Sequence, residues 1–331
     1  MGKLVIATQE KIDDLISKRA GETKFGERIQ LANVQNWEES IRDSNAKYVL
    51  VGIPEDIGVR ANLGVGGAHT GWEAALKAIL NVQNTNELNG ENVLLLGWFD
   101  FANWLSAAER MDVAKLRVIV ENIDELVYPV IQKIVAAGKI PIAIGGGHNN
   151  AYALLKGSSL ALGQSVNAIN LDAHSDYRVQ EGRHSGNGFR YAKAEGYLEK
   201  YAMVGLHQNY NSEAVLGEIK QSPDLHYSFY EDIFLREQQT YTEALIEGFE
   251  FVKGKPAGIE LDLDCIENVL SSAITPCGIS TLQARQYIFR SKNYNPVYLH
   301  IPEGATLLRD GRSVSSTGKL IAYLVTDFIR L

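Results

Sequence analysis

Cysteine, proline and long hydrophobic runs are all scarce in this sequence of 331 residues. The two cysteines, Cys265 and Cys277, are not in CxxC spacing, which argues against a structural zinc cluster and a disulfide-rich secreted scaffold. We expect reduced thiols in a cytoplasmic protein; a disulfide is the alternative. The 8 prolines and 30 glycines follow no collagen-like period. The longest apolar runs, at 93–99 and 140–144, are far shorter than the roughly 20 residues that span a bilayer, so we expect no membrane partner.

Basic residues are also fewer than acidic ones. The 32 lysines and arginines stand against 40 aspartates and glutamates, which gives a formal net charge of −8. Because such a chain offers no basic face, we expect no nucleic-acid partner. An anionic ligand would have to be bound by a few locally placed arginines. The hydrophobic content of 45% is too high for a disordered chain.

Eight short apolar runs predict the strands of a central sheet. Most of them do not alternate between apolar and polar residues, which is typical of parallel strands covered on both faces. Because helical stretches separate these runs, the pattern predicts a three-layer αβα fold of the α/β class with a mainly parallel sheet of about eight strands. The predicted strands lie at 48–53, 93–97, 140–146, 166–172, 201–207, 225–229, 257–263 and 296–301. The predicted helices lie near 10–20, 70–81, 113–137, 149–157, 239–253, 278–291 and 316–330.

The longest predicted helix covers about 113–137, where apolar residues recur at three- and four-residue steps. Asp112 can cap its start and Gly138 its end. Pro129 lies inside the pattern and predicts a kink or a break.

The chain contains no linker that would divide it. We therefore expect a single domain over residues 1–331. Residues 1–45 are predicted to form a polar helical prefix, and residues 46–331 the core of the fold.

Three of the predicted strands end in unusual polar sequences, IGGGHNN, NLDAHSDYR and ELDLDCIE. In open α/β sheets, ligands gather outside the carboxyl ends of the strands. Alternate residues of an extended segment point the same way, so the side chains of each sequence can converge. Taken alone, an Asp-x-Asp pair is more often a helix cap, and a histidine after glycines is more often packed in the core. Together the three sequences favour a single site built from His148, Asp172, His174, Asp176, Asp262 and Asp264.

Four carboxylates sharing a small volume would repel each other and raise each other's pKa values. One divalent cation removes this difficulty, and two remove it better. Carboxylates mixed with imidazoles and without thiolates favour Mn²⁺, with Fe, Co or Zn as alternatives. The sequence therefore predicts a pair of metal ions bridged by shared carboxylates.

These segments closely resemble those of the ureohydrolase family, which comprises arginases, agmatinases and formimidoylglutamases. The resemblance runs from about residue 50 to residue 302. It implies an arginase-like fold, two Mn²⁺ per chain, and a homo-oligomer that is a trimer or a hexamer. By motif position, one ion would be held by His148, Asp172, Asp176 and Asp262. The other would be held by Asp172, His174, Asp262 and Asp264, so that Asp172 and Asp262 bridge.

Within this family the sequence is most similar to formimidoylglutamases. Gly147 stands before the metal histidine, where arginases and agmatinases usually have aspartate. The segments at 52–71, 184–189 and 275–285 also resemble formimidoylglutamase segments. Phe189 stands where arginase has a proton-shuttling histidine, and Gln283 where arginases have a guanidinium-binding glutamate.

The resemblance implies hydrolysis of the C–N bond of N-formimidoyl-L-glutamate, giving L-glutamate and formamide in histidine degradation. Such a substrate carries two carboxylates, which charge-assisted hydrogen bonds from arginines can bind. Asp176 or Asp264 could relay the proton to the leaving nitrogen, and His300 is among the histidines that could shuttle protons. The predicted substrate contacts are Arg60, Asn62, Arg178, Asn187 and Arg285. The alternatives are another ureohydrolase that releases urea from a guanidino compound (arginase, agmatinase or a guanidino-acid hydrolase), and an inert metal-binding homologue.

Overall fold

A computed structural model describes residues 2–330 and contains a ten-stranded sheet. The spatial order is β1-β4-β3-β5-β10-β9-β6-β7-β8, and β2 pairs with β4. All pairings are parallel except the one between β1 and β4. The strands are β1 (Lys3–Ile6), β2 (Gln30–Leu31), β3 (Tyr48–Gly52), β4 (Val93–Asp100), β5 (Ile140–Ile144), β6 (Val166–Leu171), β7 (Leu198–Leu206), β8 (Leu225–Phe229), β9 (Ala257–Leu261) and β10 (Pro296–Ile301).

Thirteen α-helices flank the sheet in the described residues, and none of them is long and apolar enough to cross a membrane. Buried side chains form one large apolar core on each side of the sheet, as expected when helices cover both faces. The helices are α1 (Gln9–Leu15), α2 (Trp37–Asp43), α3 (Ile57–Ala61), α4 (Gly71–Leu80), α5 (Ala102–Ala108), α6 (Val113–Ala136), α7 (Asn150–Leu162), α8 (Gly188–Ala194), α9 (Glu213–Gln221), α10 (Tyr230–Phe234), α11 (Tyr241–Val252), α12 (Thr281–Ser291) and α13 (Thr317–Ile329).

The predicted three-layer fold with a mainly parallel sheet is confirmed, and all eight predicted strands are present. The sheet has two further strands, β1 and β2, in the segment predicted to be only helical. Both pair with β4, neither is fully buried, and with four and two residues they are shorter than the apolar runs that mark the central strands. Residues 1 and 331, the ends of the predicted single domain, lie outside the described residues.

Helix α6 has the predicted ends but is not broken. The side chain of Asp112 accepts a hydrogen bond from the backbone N–H of Lys115, and Gly138 follows with a positive φ of 71°. The helix continues through Pro129 to Ala136, so the predicted break is absent. Helix α7 packs against this region closely, because a Cβ at Gly157 would lie 2.6 Å from the carbonyl oxygen of Tyr128.

The strand order places the polar sequences side by side. Strands β5, β10, β9 and β6 are consecutive neighbours and all run parallel. Their carboxyl ends therefore lie at the same edge of the sheet, and the loops after them start close together. Cys265 and Cys277 are both free, as expected for reduced thiols.

Candidate metal centre

The structure brings the six predicted metal ligands together in two groups. In the first donor group, Nδ1 of His148 lies 2.9 Å from Oδ2 of Asp176, 2.9 Å from Oδ2 of Asp262 and 3.3 Å from Oδ2 of Asp172. These four ligand atoms lie within 4.8 Å of one another. One imidazole nitrogen thus faces three carboxylate oxygens.

The second donor group consists of Asp172, His174 and Asp264. Nδ1 of His174 lies 3.3 Å from Oδ2 of Asp264 and 3.5 Å from Oδ1 of Asp172. Asp172 therefore belongs to both groups, with Oδ2 towards His148 and Oδ1 towards His174. This geometry suits a bridging carboxylate.

Asp262 faces the first donor group through Oδ2. Its other oxygen, Oδ1, accepts a hydrogen bond of 2.8 Å from the backbone N–H of Asp264. This contact orders the turn that follows β9. The distances therefore support sharing by Asp172 more directly than the predicted bridging by Asp262.

Unusual backbone conformations shape the two loops that carry these ligands. Gly146, two residues before the candidate ligand His148, has a φ of 76°, and a Cβ there would lie 2.4 Å from Nδ2 of Asn150. Asp176 has a φ of 44°, a left-handed conformation that aspartate tolerates better than most residues do. The turn at Asp176 aims its carboxylate back at His148.

The charges in this cluster call for a cation. Burial and the neighbouring charge of Asp172 raise the pKa of Asp176 to about 6, and burial with Asp264 and Asp172 raises the pKa of Asp262 well above its usual range. Although burial opposes it, the carboxylates around His148 raise its pKa well above the usual value. The metal-free cluster thus retains protons that a dication would displace. Carboxylate oxygens with imidazole nitrogens and no thiolate are a donor set that fits Mn²⁺.

A cavity opens over both donor groups. Its wall includes Asn62 and Arg178, together with Ser185, Tyr210 and Ser272. The side chain of Arg178 is 57% exposed and is the one arginine or lysine among the lining residues described. Metal ligands at the base and a guanidinium near the mouth leave room between them for a small molecule with an anionic end.

Glu303 also lines the cavity, and the sequence reading missed it. It is 5% exposed, and its Oε1 accepts a hydrogen bond of 3.0 Å from the backbone N–H of His148. Burial and the nearby carboxylate of Asp264 raise the pKa of Glu303 to about 8. Its position two residues beyond β10 could have been found by the same strand-end rule that found the ligands.

The sequence comparison establishes the family. The model of the Arginase family matches residues 46–329. The chain belongs to the arginase family. Among curated relatives, formimidoylglutamase of Macrococcus caseolyticus is 28% identical over 227 residues, which cover 67% of this chain and 71% of the relative. Formimidoylglutamase of Salmonella paratyphi B is 26% identical over 270 residues, 79% of this chain and 76% of the relative.

Solved structures of the arginase family share the fold. Formiminoglutamase of Trypanosoma cruzi, solved with two Mn²⁺, aligns with a TM-score of 0.72 at 21% identity, covering 93% of this chain and 97% of that one. Formimidoylglutamase of Bacillus subtilis aligns with a TM-score of 0.73 at 17% identity, covering 95% of this chain and 93% of that one. At these identities the likeness concerns the architecture.

Two of the predicted substrate contacts, Arg60 and Arg285, do not line the cavity in the described structure of this arginase-family chain. Nη1 of Arg60 lies 3.6 Å from Oδ1 of Asp56 and 3.5 Å from Oε1 of Glu109. Arg285 lies on α12 and donates two hydrogen bonds, of 2.6 and 3.0 Å, to Asp327. The guanidinium of Arg60 thus pairs with Asp56, directly before its own helix, and with distant Glu109, and that of Arg285 pairs with distant Asp327.

The side chain of Asn187 makes hydrogen bonds within its own loop and does not line the cavity. Its Oδ1 accepts hydrogen bonds from Arg183 and from the backbone of His184, and its Nδ2 donates to the carbonyl of Gly182. Its polar atoms are thus already used within the loop, and its contact with substrate stays a prediction. Of the predicted contacts, only Asn62 and Arg178 reach the cavity.

Gln283 lies outside the cavity as well. Its Oε1 accepts hydrogen bonds of 2.7 Å from the backbone N–H of Ser280 and 2.9 Å from the Ser280 hydroxyl. It therefore completes the capping box at the start of α12. Glu303, not residue 283, supplies the carboxylate beside the donor groups.

Proposed function

We propose that this chain is a manganese-dependent hydrolase that cleaves N-formimidoyl-L-glutamate to L-glutamate and formamide. One observation carries the proposal: two donor groups that share Asp172 lie at the base of a cavity with an arginine at its mouth. The relatives named formimidoylglutamase support this substrate.

In this proposal the first donor group holds one Mn²⁺ and the second holds the other, with Asp172 contributing to both. When bound, the metal pair supplies a water whose pKa is low enough for it to act as a hydroxide nucleophile near neutral pH. The described donors comprise four carboxylates and two imidazoles.

The substrate is oriented by residues at opposite ends of the cavity. Arg178 donates hydrogen bonds to a substrate carboxylate at the mouth, and Asn62 offers an amide beside it. Glu303 accepts from the N–H groups of the amidinium near the metal ligands. This arrangement places the formimidoyl carbon over the donor groups.

Addition of water to the formimidoyl carbon gives a tetrahedral carbon, and cleavage of its bond to the glutamate nitrogen releases formamide. The leaving nitrogen takes up a proton and departs as the amine of L-glutamate. In this proposal Asp264 relays the proton, and the buried Oδ1 of Asp264, which has no hydrogen-bond partner among the described residues, supports this role. Asp176, the less buried ligand of the first donor group, is the alternative relay.

Product identification tests the proposal. The full chain, purified and supplied with MnCl₂, is incubated separately with N-formimidoyl-L-glutamate, arginine, agmatine and a guanidino acid. We expect formamide and glutamate from the first and no urea from the others. Urea from a guanidino compound, without glutamate from the first substrate, would identify a different ureohydrolase. Two bound Mn²⁺ without any hydrolysis would identify an inert metal-binding protein.

We further propose that the protein is a cytoplasmic homo-oligomer, a trimer or a hexamer. The exposed free thiol of Cys277 is compatible with a reducing compartment. Light scattering of the purified chain measures its mass, and a mass of 36.5 kDa, that of one chain, would contradict an oligomer.

A further inference from the structure

A second buried cluster lies directly behind His148, on the side away from the donor groups. Oε2 of Glu260 lies 3.3 Å from Nε2 of His148 and 2.6 Å from Nδ1 of His300. The hydroxyl of Tyr298 donates to the other oxygen, Oε1, at 2.7 Å. All four side chains are 0% exposed.

This cluster is a hydrogen-bond network and not a third metal site. The 2.6 Å between Glu260 and His300 is a direct hydrogen-bond distance. A cation between two ligands at about 2.1 Å from each would hold them further apart. The three protein groups around Glu260 therefore act as donors to its carboxylate.

We propose that Glu260 is a positioning residue that fixes the tautomer and the ring orientation of His148 for metal binding; this rests on the proposed role of His148 as a ligand. A neutral imidazole carries one proton, on one of its two nitrogens. Nδ1 must present a lone pair to a metal, so the proton must be on Nε2. The ionised Glu260 can only accept a hydrogen bond, so it selects this tautomer.

The carboxylate also determines which way the ring faces. The rings of Phe189 and His148 pack edge to face, with centroids 5.2 Å apart and planes at 81°, and this contact restrains the plane of the His148 ring. It cannot distinguish the ring from its flipped form, in which carbon atoms take the place of both nitrogens. The hydrogen bond to Glu260 makes the distinction, because only the unflipped ring directs Nε2–H at the carboxylate.

Packing and hydrogen bonding alone do not explain why a carboxylate is buried at position 260. Among the described residues its ion-pair contacts are with His148 and His300, and no lysine or arginine neutralises it. A buried carboxylate without a permanent cation beside it is costly, so its retention here indicates a role beyond packing. A metal at Nδ1 would polarise the His148 ring and strengthen its hydrogen bond to the carboxylate.

The test is a Mn²⁺ titration of the full chain, followed by the electron paramagnetic resonance signal of the free ion. Wild type should bind two equivalents. In Glu260→Gln and Glu260→Met, we expect one equivalent to bind roughly 10–100-fold more weakly and the other to be unchanged, as an outer contact of a ligand histidine predicts. His148→Asn serves as the reference for losing the first donor group.

Tyr298→Phe is the matched control for structural damage. It removes the donor to Oε1 but leaves Oε2 facing both histidines. We expect it to lower the melting temperature measured in EDTA while both Mn²⁺ affinities stay within a few-fold of wild type. In the Glu260 variants, the affinity for one Mn²⁺ should fall even where the melting temperature in EDTA falls no further than in Tyr298→Phe.

Two results would overturn the inference: unchanged affinity for both equivalents in the Glu260 variants, or an equal loss of both equivalents that Tyr298→Phe reproduces. A wild type that binds no Mn²⁺ would overturn both this inference and the proposed function. A wild type that binds two Mn²⁺ but hydrolyses no amidine would overturn the proposed function alone, because binding is measured without substrate.

Discussion

Glu303 accepts a hydrogen bond of 3.0 Å from the backbone N–H of His148, although 155 residues separate the two in sequence. This contact joins the loop after β10 to the loop after β5 and places a buried carboxylate beside the donor groups. In the proposed reaction the same carboxylate binds the amidinium. A substitution that removes only the charge of Glu303 can separate its hydrogen bond to His148 from its proposed binding of the amidinium.

Glu303→Gln should keep the fold and lose activity. The amide oxygen can still accept the N–H of His148, but an amide cannot ionise, so the negative charge that the carboxylate would acquire on binding an amidinium is lost. A hydrogen bond to a charged group is worth about 1.5–3 kcal/mol, so we expect kcat/KM to fall by roughly 10–150-fold. The melting temperature in EDTA should stay close to that of wild type. Glu267→Gln, at an exposed glutamate, is the control. Equal activity in the two variants would remove Glu303 from the mechanism.

Arg178 should determine binding more than turnover. Because it lies at the mouth of the cavity and half of its side chain is exposed, Arg178→Gln is expected to raise KM for formimidoylglutamate by roughly 10–100-fold with a small change in kcat. Steady-state kinetics at two salt concentrations measure this, and wild type should show the stronger salt dependence.

Arg285→Gln provides the matched comparison for Arg178. Its guanidinium pairs with Asp327 between α12 and α13, so we expect an unchanged KM and a modest loss of stability, about 1 kcal/mol for a partly exposed ion pair. A raised KM in this variant would restore the sequence-based assignment of Arg285 and contradict the structure.

The sheet was predictable because its central strands are buried on both faces. Runs such as Tyr48–Gly52 contain only buried residues and therefore read as continuous apolar segments. Strands β1 and β2 have four and two residues at the margin of the sheet, too few to produce a pattern. Helices α3 and α10, with five residues each, are likewise too short for a helical period to be recognised.

Five of the six candidate metal ligands were predictable because they follow strand ends at a spacing of two, and His148 was predictable because it follows three glycines after a strand. Glu303 is a single acid without such a pattern. Glu260 continues the spacing of two upstream of Asp262 and Asp264, but it lies inside an apolar strand and not after its end. The predicted contacts that do not line the cavity have a different explanation. Whether Arg60 or Asn187 faces a cavity depends on partners from segments far away in sequence, which no local motif specifies.

Removal of the metal should destabilise the protein. In the metal-free state the carboxylates of the first donor group face one another with only protons to compensate them, and a metal that binds only the folded state adds about 4 kcal/mol at a thousandfold excess over its Kd. We expect EDTA to lower the melting temperature by several degrees. Asp172→Asn, which alters both donor groups, should abolish most of the rise that Mn²⁺ produces. In Asp310→Asn, on the surface, the rise should persist.

The buried pair of Arg183 and Asp124 should be a stability determinant of the cavity wall. Arg183 donates to Asp124 at 2.9 Å and to Asn187 at 2.7 Å, and both members of the pair are about 3% exposed. Removal of one partner leaves the other charge buried, so Arg183→Met or Asp124→Asn should cost about 3–5 kcal/mol in urea unfolding. The double variant should lose less than the sum of the two single losses. Additive losses would show that the two charges do not depend on each other.

The last prediction concerns pH. His184 is 0% exposed, its Nδ1 accepts a hydrogen bond of 3.1 Å from the backbone N–H of Gly186, and burial with the charges of Arg117 and Arg178 lowers its pKa to about 4. In the unfolded chain the imidazole has a pKa of about 6.5, so between these values the unfolded state binds the additional proton. The stability of the folded protein should therefore fall as the pH drops from about 6.5 towards 4.

His184→Asn isolates this contribution. The amide oxygen of asparagine can accept from the same N–H of Gly186 but does not titrate in this range. We expect the melting temperatures of the variant and wild type to differ least near pH 7 and to diverge on acidification, with wild type losing about 2–4 °C more by pH 4.5. EDTA in both samples removes the separate effect of metal binding. Parallel curves from pH 7 to pH 4.5 would show that protonation of His184 does not contribute to the acid sensitivity of the fold.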